Sequence, residues 1–255
     1  MSGNDTLNST ALAKRLKREA GRLDLPERLV RVRQEISGRI VFTTSFGIED
    51  QAITHAIFTA DLAIDVVTFD TGRLFPETVE VWVDTQHRYG RRIPGFVPDR
   101  EGIERQIARD GLYGIRRSLE ARLACCAVRK VALLGRALAG ASAWITGLRA
   151  DQSPDRASMA YSGVDPQYRV IKVNPLFDWT RDRVIAFVRD HRVPYNRLHD
   201  QGFLSIGCAP CTRAVAPGEP ERAGRWWWEQ QEKTECGLHT GHPAWRPEPL
   251  QFSAG

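Results

Sequence analysis

Ile40-Val41-Phe42-Thr43-Thr44 runs straight into Ser45-Phe46-Gly47, and Glu49-Asp50 then opens a helical stretch to about Ala60. Five β-prone residues, a turn built on a glycine, and a helix start with two acids form one strand-to-helix unit. The pattern repeats. Ala63 to Phe69 is a second apolar strand ending in Asp70-Thr71-Gly72, and Pro76 to Tyr89 reads as a helix with proline in its first turn. Glu120 to Leu138 reads as helix, Ala143 to Thr146 as a strand ending in Gly147, Arg169 to Val173 as a strand, and Thr180 to His191 as a helix. Strands alternating with helices predict an α/β fold with a largely parallel twisted sheet flanked by helices.

Upstream, residues 1–37 read as two amphipathic helices around Pro26, with Leu12, Leu16 and Leu23 on the first and Leu29, Val32 and Ile36 on the second. Downstream, residues 196–255 are rich in Gly, Pro, Cys and Trp and predict an irregular tail. The expected division is a helical segment 1–37, an α/β domain 38–211, and a C-terminal tail 212–255.

The 255 residues are enough to bury a substantial core, and 42% hydrophobic with 26% charged residues is ordinary soluble usage. No apolar run approaches the ~20 residues of a membrane span. The start, Met1-Ser2-Gly3-Asn4-Asp5, has no apolar core behind it, so a cytoplasmic location is expected. The net charge of +5 is mostly arginine, with only five lysines. A modest positive field suits a small anionic substrate. Basic tracts interleaved with aromatics are missing, which argues against nucleic acid.

In open α/β sheets ligands bind beyond the carboxyl ends of the strands. Three strands here end in Ser45-Phe46-Gly47, Asp70-Thr71-Gly72 and Thr146-Gly147, and Arg73, Arg149 and Arg156 follow those turns. Glycines let backbone N–H groups approach a phosphate, and arginine pairs with phosphate or sulfate oxygens. Neither a Walker loop nor a dinucleotide fingerprint is present.

Five cysteines, an odd number, argue against a full disulfide framework. Cys125-Cys126 and Cys208-Ala209-Pro210-Cys211 offer four thiolates, the ligand set of zinc or iron–sulfur sites. Adjacent helix residues diverge by about 100°, which a cluster with separated iron corners accommodates better than one ion. Two buried cysteines beside a redox-active pair is the plainer alternative. Lys130, four residues after Cys126, falls on the same helical face, where an ammonium opposes thiolate charge. Cys236 stands alone in Glu235-Cys236-Gly237-Leu238-His239: either a nucleophile assisted by His239, or an accidental exposed thiol. Trp226-Trp227-Trp228 before it reads as a packing anchor, with Arg222 and Arg225 adding positive charge.

Taken together these segments resemble the assimilatory sulfonucleotide reductases, specifically the adenylyl-sulfate (APS) reductases that carry a [4Fe-4S] cluster. The likeness spans about residues 38–245. It rests on the motifs at 45–50, 70–78, 125–130, 146–153, 207–212, 224–229 and 235–239. The resemblance implies an adenine nucleotide α-hydrolase-like fold. It places Ser45, Gly47, Asp70, Thr71, Gly72, Arg73, Gly147 and Arg149 around the nucleotide, and Lys130, Arg156, Arg222 and Arg225 around the phosphosulfate. Cys125, Cys126, Cys208 and Cys211 would hold the cluster, and Cys236 would be the nucleophile. Its partners would be adenylyl sulfate and reduced thioredoxin, or a glutaredoxin-like dithiol; a homo-oligomer is compatible with this. The alternatives are a reductase using 3′-phosphoadenylyl sulfate (PAPS) or both nucleotides, an ATP pyrophosphatase-type adenylating enzyme with zinc, and a zinc-stabilised nucleotide sensor. Glu49 stands where the pyrophosphatase loop has Asp, which disfavours the adenylating enzyme.

Overall fold

In the computed structural model, which describes residues 3–229, the strand β1 (Arg39–Thr44) lies in the interior of the sheet. It pairs in parallel with β2 (Asp65–Phe69), Phe42 opposite Val66, and with β4 (Ala141–Ile145), Val41 opposite Trp144. With β3 (Gly95–Phe96), β5 (Ser162–Val164) and β6 (Ile171–Val173), the strand order is β3-β2-β1-β4-β6-β5. All neighbours are parallel except β5 against β6.

Both faces are covered, which is why β1 reads as a continuous apolar run. Ile40 and Phe42 point into the larger core with Ile53, Ile57 and Ile171. Val41 points the other way, into a second core with Val67, Leu134 and Trp144. The helix α3 (Ile48–Thr59) is buried along most of its length and packs against α2 (Leu25–Glu35) and α8 (Arg181–Asp190). The chain builds outward from β1 to β2 and β3, then returns to β4 on β1's other side. That reversal creates a crevice at the strand ends of β1 and β4, the place where open α/β sheets bind ligands.

The expected helices form, among them α4 (Pro76–Tyr89) at its expected bounds, ended by Gly90 with φ +60°. Among the N-terminal helices, α1 (Gly3–Ala20) ends before Leu23, which sits in the following turn. Pro26 lies inside the first turn of α2, which Asp24 and Glu27 cap reciprocally. Both helices share the main core, and buried Arg28 holds Asp178 through bonds of 2.6 and 2.7 Å. The helix expected over Glu120 to Leu138 is α6 (Leu119–Cys126), a π-helical stretch Ala127–Val131, and α7 (Ala132–Ala137). The sequence reading leaves α5 (Arg100–Asp110), β3 and the antiparallel β5 unassigned. No helix among the described residues is long and apolar enough to cross a membrane.

Candidate active site

Ser118 caps α6, its Oγ accepting from Ala121 N at 3.2 Å, and the helix delivers Cys125 and Cys126 at its end. The turn Ala209–Cys211 delivers the other pair; Cys211 N donates to Cys208 O at 2.9 Å. A backbone bond from Ala209 N to Arg73 O (2.8 Å) ties this turn to the loop after β2. None of the four cysteines is in a disulfide; they are 7–8% exposed and surround one small cavity of about 20 Å³ together with Ile115 and Trp226. Just past Cys126 the helix widens into π geometry, Ala132 N–H donating to Ala127 O. Such bulges recur at functional sites.

This cavity is strongly cationic. Arg73, Arg122, Arg129, Lys130 and Arg225 line it. Burial pushes the Cys125 thiol up and that of Cys211 to about 11, with nearby cations pulling the other way. Arg73 Nη1, Arg129 Nε, Arg225 Nε and Trp226 Nε1 are buried without a hydrogen-bond partner among the described residues. Trp226 holds the left-handed conformation at φ +48°, stacked by Arg122 and Arg225 at 4.4 and 4.6 Å. Among the described residues, no three His, Cys, Asp or Glu side chains form a site for a single metal ion.

A cleft of about 180 Å³ opens beside it, at the crevice between β1 and β4. Ser45, Gly47 and Gly147 line it, as do Lys130, Arg156, Arg222 and Arg225. Lys130 and Arg225 therefore border both cavities. Asp50 accepts from Ser45 N at 2.6 Å and Ser45 Oγ at 2.7 Å. Burial nevertheless pushes its carboxyl up to about 7. A Cβ on Gly147 would stand 2.0 Å from Asp50 Oδ1, so only glycine fits there. A Cβ on Gly207 would likewise strike the Arg225 guanidinium at 2.3 Å.

Several expected residues stand elsewhere. Asp70, Thr71, Gly72 and Arg73 do not line the cleft. Asp70 accepts from Gly72 N at 2.9 Å, and Gly72 turns the loop with φ +67°. Thr71 Oγ1 lies 3.3 Å from Cys208 Sγ, and Thr71 O accepts from Arg129 Nη1 at 2.6 Å, so this loop walls the cysteine cavity. Arg149 is fully buried and does not line the cleft either. It donates to Glu49 at 2.9 Å, to Glu221 at 2.9 and 2.7 Å, and to Asp151. Arg156 reaches the cleft and also bonds Gln152. Cys236 and His239 lie outside the described residues.

The structure adds residues that the sequence reading passed over. Glu49, Asp50, Glu221 and His199 line the cleft. Glu49 and Asp50 read from the sequence as a helix start and as part of the 45–50 motif, without a role in the cleft, and no local signal singles out Glu221 or His199. Arg122 and Glu229 form a buried ion pair at 2.5 Å, which fastens the end of the tryptophan run next to the cysteines.

Residues 39–214 match the family described as phosphoadenosine phosphosulfate reductase domain. A protein from Agrobacterium fabrum named adenosine 5′-phosphosulfate reductase is 52% identical over 239 residues, 94% of this chain and 91% of its own. One of the same name from Allochromatium vinosum is 50% identical over 222 residues, 87% of this chain and 85% of its own. The crystal structure of a phosphoadenylyl-sulfate (PAPS) reductase from Candida auris shares the fold with a TM-score of 0.66 at 24% identity, covering 84% of this chain and 98% of that one. The chain belongs to the phosphoadenosine phosphosulfate reductase domain family.

Proposed function

We propose that this chain is an adenylyl-sulfate reductase of sulfate assimilation, releasing sulfite and AMP at the expense of a dithiol. Relatives named adenosine 5′-phosphosulfate reductase support the substrate. The observation that carries the reading is the shared wall: Lys130 and Arg225 border the nucleotide-sized cleft and the four-cysteine cavity at once.

In this reading Ser45, Gly47 and Gly147 admit the nucleotide at the crevice, and Lys130, Arg156, Arg222 and Arg225 take the phosphosulfate. Charge-assisted bonds to an anion are the strong ones, and in a water-poor cleft they oppose charge as attack proceeds. The Cys236 thiolate attacks the sulfate sulfur, the S–O bond to AMP breaks, and Cys236 holds an S-sulfo group. A thiol of reduced thioredoxin then attacks the Cys236 sulfur and sulfite leaves with its electron pair. The second thiol closes the thioredoxin disulfide and returns Cys236 as thiol. Two thiols are oxidised and one sulfur is reduced from sulfate to sulfite. Cys236 lies seven residues past Glu229, so the chain from that anchor spans at most about 25 Å.

Cys125, Cys126, Cys208 and Cys211 fit a [4Fe-4S] cluster. They are four cysteines outside any disulfide around one cavity; among the described residues they do not close on a single-ion site, and buried N–H groups of Arg73, Arg129, Arg225 and Trp226 beside them lack a hydrogen-bond acceptor. When bound, the cluster supplies a fixed anionic charge that positions the cation Lys130. Both electrons come from the dithiol.

The test is turnover. Purified anaerobically, the protein should convert adenylyl sulfate and reduced thioredoxin to equal amounts of AMP and sulfite, with higher kcat/KM than for PAPS. ATP-dependent adenylation with zinc bound, and no sulfite, would establish the adenylating enzyme instead.

A further inference from the structure

His199 sits in the turn Arg197–Gln201, capped by Asn196, whose Oδ1 accepts from Leu198 N at 3.0 Å and whose Nδ2 donates to Thr78 Oγ1 at 3.0 Å. The ring is therefore held by the body of the protein. Its Nδ1 lies 2.8 Å from Phe203 O. A carbonyl oxygen only accepts, so Nδ1 carries the proton and Nε2 presents a bare lone pair in the neutral ring. Burial and nearby Arg181 hold the ring's pKa below its usual value, with Glu49 opposing them. Nε2 is buried and has no hydrogen-bond partner among the described residues, and His199 lines the cleft. A buried acceptor left unmatched is costly, so a donor on the ligand is the fitting partner.

The rest of the cleft narrows which donor. Phe69, Leu148, Leu204 and Ile206 give apolar lining suited to a planar base. The cations suit the anion, and the ribose lies covalently between base and anion. Glu221 lines the cleft and directly precedes the cation Arg222, while Glu49 acts electrostatically on His199. Arg149 pairs with both carboxylates, so His199 Nε2 is the unmatched acceptor that this wall offers beside the cationic end.

Building on the nucleotide reading above, we infer that His199 Nε2 accepts a hydrogen bond from a ribose hydroxyl, making His199 a specificity residue for nucleotides whose ribose is unphosphorylated. The 2′- and 3′-hydroxyls are neighbours. A phosphate at either carries about two negative charges and brings acceptor oxygens to the Nε2 lone pair in place of a donor.

Equilibrium binding to the full chain, purified anaerobically, tests this without turnover. The probes are AMP, its 2′-deoxy and 3′-deoxy forms, inosine monophosphate and adenosine 3′,5′-bisphosphate. Wild type should bind AMP more tightly than the bisphosphate, and should lose about three- to tenfold on removal of one ribose hydroxyl. In His199→Ala that loss should vanish, and the preference over the bisphosphate should shrink. Wild type that binds both deoxynucleotides and AMP equally overturns the inference with no variant needed. So does a loss in His199→Ala that couples to the base amine, read with inosine monophosphate, instead of to a hydroxyl. Wild type that binds none of the probes overturns the nucleotide reading itself, and this inference with it.

Discussion

Arg149 and Glu221 are joined by two hydrogen bonds of 2.9 and 2.7 Å at a site where the arginine is fully buried. The same guanidinium also holds Glu49, at the opening turn of α3. Arg149 thus ties the segment of Arg222 and Arg225 to the strand ends, and it shapes the cleft without lining it. Removing it leaves buried Glu49 without its counter-charge and half-buried Glu221 with only Arg181, 3.6 Å away. Arg149→Ala should therefore lose about 3–5 kcal/mol of stability in chemical denaturation. Unchanged stability with a raised KM would return Arg149 to the substrate.

Lys130→Ala should keep its fold and its metal content but lose about ten- to a hundredfold in kcat/KM, the worth of a charge-assisted contact of about 1.5–3 kcal/mol acting in the transition state. Steady-state kinetics beside an iron assay checks it. Unchanged kinetics would remove Lys130 from the reaction.

Iron is the next expectation. Wild type purified without oxygen should be brown, with about four iron and four sulfide per chain, as a Cys₄ cluster requires. Cys208→Ser should lose the colour and most of the activity. Colourless wild type carrying only zinc would contradict the assignment.

Asp50 sets a pH dependence. Its carboxyl titrates at about 7 in the folded chain, against ~3.9 for an ordinary aspartate. Between those values the native state keeps a proton that the unfolded chain releases. This contribution to stability is complete below about pH 4 and is lost as pH rises through 7. Asp50→Asn should flatten that slope in denaturation at pH 5 and pH 7.5. An unaltered slope would mean that Asp50 ionises normally.

Local signals made much of this legible. Ile40 to Thr44 reads as a strand because alternate side chains enter two cores, and Pro76 and Gly90 bracket α4 in the sequence as they do in space. The paired cysteines stand out by spacing alone, and the structure sets them around one cavity. What stayed hidden depends on tertiary contacts. The charged α5 buries two polar residues, Gln106 and Asp110, so no apolar stripe marks its inner face, and two-residue β3 is too short to show a period. The π-helical stretch after Cys126 leaves no mark in composition. Arg149 looks like an anion ligand because it follows a strand-end glycine; its partner Glu221 is 72 residues away. His199 Nε2 has no hydrogen-bond partner among the described residues, and no spacing reveals that.

The proposed reaction turns on covalent transfer of the sulfo group to Cys236. Anaerobic wild type mixed with adenylyl sulfate and no dithiol, then analysed by intact and peptide mass spectrometry, tests it most directly. One sulfo group per chain is expected on Cys236, with one AMP released for each, and sulfite only after reduced thioredoxin is added; Cys236→Ser should stay unmodified and brown. An adduct on another cysteine, or sulfite release by Cys236→Ser, would contradict it.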